Sequence, residues 1–111
     1  NLNNAKDIFS IGPSMIVVTE GSKGSHWFLK NSQFTCDAVL TSYTKDTTGA
    51  GDAFTGASIA KLLQGSSPKE AAKYASTVAS FVVEKWGCQT NLAKPKYIKK
   101  RMNSFFKHKK L

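Results

Sequence analysis

The chain has 111 residues, 41% of them hydrophobic and 21% charged, which is enough for one small domain with its own core. No apolar stretch approaches the ~20 residues that span a bilayer, and no charged-then-apolar leader precedes a cleavage-like site. The formal charge of +9 is local: Lys94, Lys96, Lys99, Lys100, Arg101, Lys107, Lys109 and Lys110 face no acidic residue in the same segment, whereas the preceding chain is nearly neutral.

In chain order, Asn1 to Asp7 is polar and lacks a start signal for helix or strand. Met15-Ile16-Val17-Val18-Thr19 is a continuous, largely β-branched run, the pattern of a strand buried on both faces. Glu20 to Gly24 is a glycine-punctuated turn. Ser25 to Leu29, the turn Lys30 to Gln33, and Phe34 to Cys36 read together as a hairpin. Ala38 to Tyr43 is a further extended segment. Asp52 to Leu63 is expected to be a helix whose buried face is Phe54, Ala57, Ile59, Ala60, Leu62 and Leu63, with Gly65 as its stop. Ser67-Pro68-Lys69-Glu70 is a capping box with Pro at the first helical position, opening a helix to about Lys85 that Gly87 ends. Pro95 opens a last helix with Ile98, Met102, Phe105 and Phe106 on one face and lysines on the other. Strands followed by three helices make an α/β arrangement, but too few strands for a doubly wound sheet, so the chain is expected to be part of a larger fold.

Chemistry concentrates in Asp46-Thr47-Thr48-Gly49-Ala50-Gly51-Asp52-Ala53-Phe54-Thr55-Gly56. A glycine-containing turn here opens a helix, whose first N–H groups lack intrahelical partners and whose dipole adds partial positive charge. Gly49 and Gly51 permit close backbone approach to a phosphate. Asp52, in the first turn, stands where a general base takes a proton from a hydroxyl. The same residues also serve an ordinary helix start, since first-turn Asp and preceding glycines are common stabilisers.

The full run is far more specific than a lone GxGD. It resembles the C-terminal signature of the ribokinase-like (PfkB) carbohydrate kinases, D-T-x-G-A-G-D-x-F-x-G, at every fixed position. Upstream, Thr19-Glu20-Gly21-Ser22-Lys23-Gly24 resembles the family's T-x-G-x-x-G loop after a strand, and Gly87 to Asn91 resembles a later G-x-x-x-S/N turn. The resemblance implies the C-terminal part of a three-layer α/β/α fold: a buried strand, a β-hairpin, then three helices. Residues 1–111 would form one partial domain, the nucleotide-binding and catalytic segment, with 94–111 a basic terminal helix. It implies transfer of the γ-phosphoryl of ATP to a hydroxyl of a sugar or related molecule, with Asp52 as catalytic base and Gly49, Ala50, Gly51 and Asp52 forming the anion hole. Nucleotide contacts fall on Thr19, Gly21, Ser22, Gly24, Gly51 and Ser76. A monovalent-cation (K⁺) site falls on Asp46, Thr48, Val82, Lys85, Gly87 and Asn91, and Mg²⁺ accompanies ATP.

The missing N-terminal portion of the same fold would hold the acceptor site and a lid, which often makes a homodimer in the family. The polar start before a core strand fits a cut chain, and the isolated segment is expected to be inactive. Cys36 and Cys88, like His26 and His108, lack metal-type spacing, so the default setting is reduced and cytoplasmic. A different class of function, binding of nucleic acid or another anionic surface by the basic tail, is the alternative. It is disfavoured because the tail lacks interleaved Arg/Gly/aromatic chemistry.

Overall fold

The computed structural model describes residues 15–39, 49–84 and 94–107. Its elements are β1 (Met15–Thr19), β2 (Ser25–Leu29), β3 (Gln33–Cys36), α1 (Ala50–Leu63), α2 (Pro68–Val83) and α3 (Pro95–Phe106), with a 3-10 turn at Gly21–Lys23. The expected extension at Ala38 to Tyr43, most of the K⁺ set and the end of the second helix near Lys85 and Gly87 lie largely outside the described residues.

The strands form an antiparallel sheet in the order β1-β2-β3, with Val17 opposite Trp27 and Trp27 opposite Phe34. The expectation that the Met15–Thr19 run is buried on both faces is corrected. Among the described residues β1 is an edge strand with β2 as its only strand neighbour, and Val17 is 36% exposed. A continuous apolar run records the capacity to be covered, not the presence of a covering layer.

Burial is concentrated in β2. Trp27 is fully buried, and its Nε1–H donates to Ser25 Oγ at 3.0 Å, so the indole enters the core without an orphaned donor. The ring stacks on Phe34 at a centroid distance of 5.6 Å and meets Phe54 of α1 at 6.4 Å. Cys36, Val39, Ala71, Ala72, Ala75 and Phe106 complete this core.

Helix α1 ends as its sequence dictates. Gly65 takes φ +92°, Gly65 N–H donates to Leu62 carbonyl at 3.1 Å and Ser66 N–H to Lys61 carbonyl at 3.0 Å, the two bonds of a Schellman stop. Its buried face is narrower than expected: Phe54 and Ser58 are buried and Ala57 and Leu62 half-buried, while Ala60 is exposed, Ile59 is 52% exposed and Leu63 84% exposed. Ile59 lies five residues from Phe54, about 140° round the helix, and so cannot share its face.

Helix α2 begins where Ser67 Oγ accepts the Glu70 N–H at 3.2 Å, with Pro68 in the first turn. The Glu70 carboxylate lies 3.5 Å from Lys73 Nζ. Small residues Ala71, Ala72 and Ala75 let α1 and α2 approach closely and place α2 in the core. Helix α3 packs on α2 and buries Ile98 and Phe106, leaving Lys94, Lys96, Lys99, Lys100 and Lys107 in solvent.

Candidate functional site

A cavity of about 380 Å³ opens between the turn after β1, the N-terminus of α1 and the C-terminal half of α2. Its lining includes Thr19, Gly21, Ser22 and Gly24 from the turn, Ala50 and Gly51 from α1, and Ser76 from α2. The volume falls in the range of small-molecule sites. Three sequence segments separated by tens of residues therefore meet at one void.

The turn is rigidly closed by its own backbone. Glu20 N–H donates to Gly24 carbonyl at 2.8 Å, Lys23 N–H to Glu20 carbonyl at 3.0 Å and Gly24 N–H to Gly21 carbonyl at 3.1 Å. Gly24 has φ +92°, and a Cβ there would collide with the Cys36 carbonyl, so only glycine lets the turn lie against the end of β3. The Glu20 carboxylate turns to His26 Nε2, across the first pair of strands.

Gly49, at φ +83°, precedes α1 and caps it without any side-chain hydrogen bond. Its carbonyl accepts the Ala53 N–H at 2.9 Å, the first bond of the helix. The N–H groups of Ala50, Gly51 and Asp52 thus have no partner one turn back within the helix, and two of these residues face the cavity. An uncapped helix start opening into a void is suited to an anion. Asp52 is exposed in the first turn of α1 and does not line the cavity wall, while Gly49 stands behind it as the N-cap.

Ser76 is 6% exposed, with its Oγ 3.6 Å from Cys36 Sγ. Burial pushes the Cys36 thiol above its ordinary pKa, with the Ser76 contact pulling the other way, so this cysteine stays protonated at neutral pH. Of the K⁺ set, only Val82 is described; it is 3% exposed on α2. Asp46, Thr48, Lys85, Gly87 and Asn91 lie outside the described residues. Among the described residues no group of three or more His, Cys, Asp and Glu is placed to hold a metal, and no helix is long and apolar enough to cross a membrane.

The cavity also takes in residues not anticipated: Ala38, Val39, Phe54, Ala79, Ser80 and Val83. Ala79, Ser80 and Val83 follow Ser76 at helical spacing, a stripe that marks them once Ser76 is placed. Phe54 serves the core and the cavity together.

Comparison with known proteins identifies the family and the fold. The model of the pfkB family carbohydrate kinases matches residues 2–95. A nucleoside kinase from Methanocaldococcus jannaschii is 35% identical over 77 residues, covering 69% of this chain and 26% of the relative. A 5-dehydro-2-deoxygluconokinase from Bacillus subtilis is 34% identical over 86 residues, 77% of this chain and 26% of the relative. The crystal structure of the M. jannaschii enzyme, an archaeal member of the ribokinase family, superposes with a TM-score of 0.84 at 30% identity, covering 93% of this chain and 34% of that one. Arabidopsis thaliana ribokinase, complexed with ribose and ATP, gives a TM-score of 0.85 at 27% identity over 91% of this chain and 33% of its own. The chain spans about a quarter of the length of the curated relatives it matches and about a third of the solved structures. Its sheet and helices are a segment of the ribokinase-like α/β fold, and the chain belongs to the pfkB family of carbohydrate kinases.

Proposed function

We propose that this chain is the nucleotide-binding and phosphoryl-transfer segment of an ATP-dependent kinase whose acceptor is a hydroxyl of a sugar, nucleoside or related small molecule. The observation that carries the reading is one cavity lined jointly by the Thr19–Gly24 turn, Ser76 and the uncapped start of α1. The apolar stretch of Val39, Phe54, Ala79 and Val83 suits a heterocycle, and the helix start suits its phosphates.

In this reading Asp52 accepts the proton of the acceptor hydroxyl as its oxygen attacks the γ-phosphorus. A new O–P bond forms, the bond from the γ-phosphorus to the bridging oxygen breaks, and ADP leaves. The N–H groups of Ala50, Gly51 and Asp52 stabilise the charge on the phosphoryl oxygens, and the φ +83° of Gly49 aims the helix start at them. Mg²⁺ bound with ATP supplies further neutralisation of phosphate charge. A K⁺ site would be built from Asp46, Thr48, Val82, Lys85, Gly87 and Asn91. Acceptor recognition and a lid belong to the remaining part of the fold, as does any homodimer contact, so the chain alone binds ADP but turns over little substrate.

The test is Asp52→Ala in a protein that carries the chain together with the rest of a ribokinase-like fold. Turnover falls by about 10²–10⁴, while ADP affinity measured by calorimetry is retained. Full turnover in that variant would remove Asp52 from the role of base.

A further inference from the structure

The cavity wall formed by Ser76, Ala79, Ser80 and Val83 belongs to α2, against which α3 packs. Arg101 reaches from the middle of α3 to three neighbours. Its Nη1–H donates to Ser80 Oγ at 2.9 Å, and its Nη2–H donates to Glu84 Oε1 at 3.0 Å. The guanidinium carbon lies 3.6 Å from the centroid of the Phe81 ring. The side chains of Arg101 and Glu84 are only 29% and 15% exposed, so the ion pair is less screened than a surface pair.

Ser80 itself is 2% exposed, and its hydroxyl proton goes to the Thr77 carbonyl at 2.6 Å. The guanidinium then occupies one of its lone pairs, so two opposed bonds fix the side chain in the wall. Glu84 stands one residue beyond Val83 and one turn beyond Ser80, both of which line the cavity. A carboxylate at that place lies close enough to the cavity to act on a bound anion across a Debye length of about 8–10 Å. The guanidinium opposes that charge at 3.0 Å, as one of the partners of Glu84. A planar fork can hold Ser80 and Glu84 at once; an ammonium group, with its single centre, can serve only one of them well.

We propose that Arg101 is a positioning residue for the cavity: it fixes Ser80 in the wall and opposes the charge of Glu84, so that anionic nucleotide binding depends on α3. The inference rests on reading the cavity as a nucleotide site. The residues matched by the family model end at position 95, where α3 begins, and Arg101 lies beyond that matched range.

The test is calorimetric titration of the full chain with ADP and, separately, with adenosine, which carries no phosphate charge. The proteins are the parent, Arg101→Met, Arg101→Lys and the double variant Arg101→Met/Glu84→Gln, each checked for folding by a circular-dichroism melt. Arg101→Met weakens ADP binding about tenfold, in line with loss of a hydrogen bond to a charged group, and weakens adenosine binding less. Arg101→Lys falls between parent and Arg101→Met, and adding Glu84→Gln to Arg101→Met restores part of the ADP affinity. Unchanged ADP binding by folded Arg101→Met overturns the proposal, as does an equal loss for both ligands that Glu84→Gln fails to relieve. If Arg101→Met does not fold, Arg101→Lys decides, and ADP affinity equal to the parent's overturns the proposal. A parent chain that binds neither ligand overturns the nucleotide reading, and the inference falls with it.

Discussion

Helices α1 and α2 follow one another through a four-residue connection and have similar lengths, yet they are buried very differently. Helix α2 buries Ala71, Ala72, Ala75, Ser76, Thr77, Val78, Ser80 and Val82, with neighbours on several sides. Helix α1 buries only Phe54 and Ser58, and leaves Ile59 and Leu63 on its outer side. The difference separates two jobs. Helix α2 is a spine around which this segment packs, whereas α1 presents its first turn to the cavity and its far side to whatever else the fold contains. The partly open β1 tells the same story from the sheet.

That contrast is open to direct tests by chemical denaturation. The largest effect falls on the one large buried side chain of α1: Phe54→Ala removes its contact with Trp27 and destabilises the chain by about 3–5 kcal/mol. Next comes the start of the spine. Ser67→Ala deletes the acceptor for the Glu70 N–H and costs about 1 kcal/mol. The smallest effect is on the outer side of α1, where Leu63→Ser changes the stability of the chain by less than about 0.5 kcal/mol. A loss at Leu63 as large as that at Phe54 would break the comparison, since it would place the outer face of α1 inside the core of this chain.

The readable parts of this protein were those in which the backbone itself demands a residue type. Gly24, Gly49 and Gly65 all take positive φ, and each marks a turn or helix boundary visible in the sequence. The Thr19–Gly24 turn, Ala50, Gly51 and Ser76, which the family resemblance implies as site residues, meet in space at one cavity. What stayed hidden depends on how elements lean on one another. The burial of β1 and the width of the α1 face are decided by neighbouring layers, which a residue pattern does not contain. In the sequence Arg101 is one charge of a basic tail, and nothing in its immediate neighbourhood marks it out from Lys99 or Lys100. Its partners Ser80 and Glu84 are about twenty residues away and become adjacent only when α3 crosses α2.

Gly24 and Gly51 border the same cavity, but they are held in place by unlike forces. Any side chain at Gly24 would strike the Cys36 carbonyl, so the sheet alone is enough to preserve that glycine. A Cβ at Gly51 meets nothing within 4 Å among the described residues, and helix propensity does not favour glycine over alanine there. A Gly51→Ala substitution is thus sterically open within the described chain, and any loss of ADP binding it caused would report on what approaches this helix end rather than on packing.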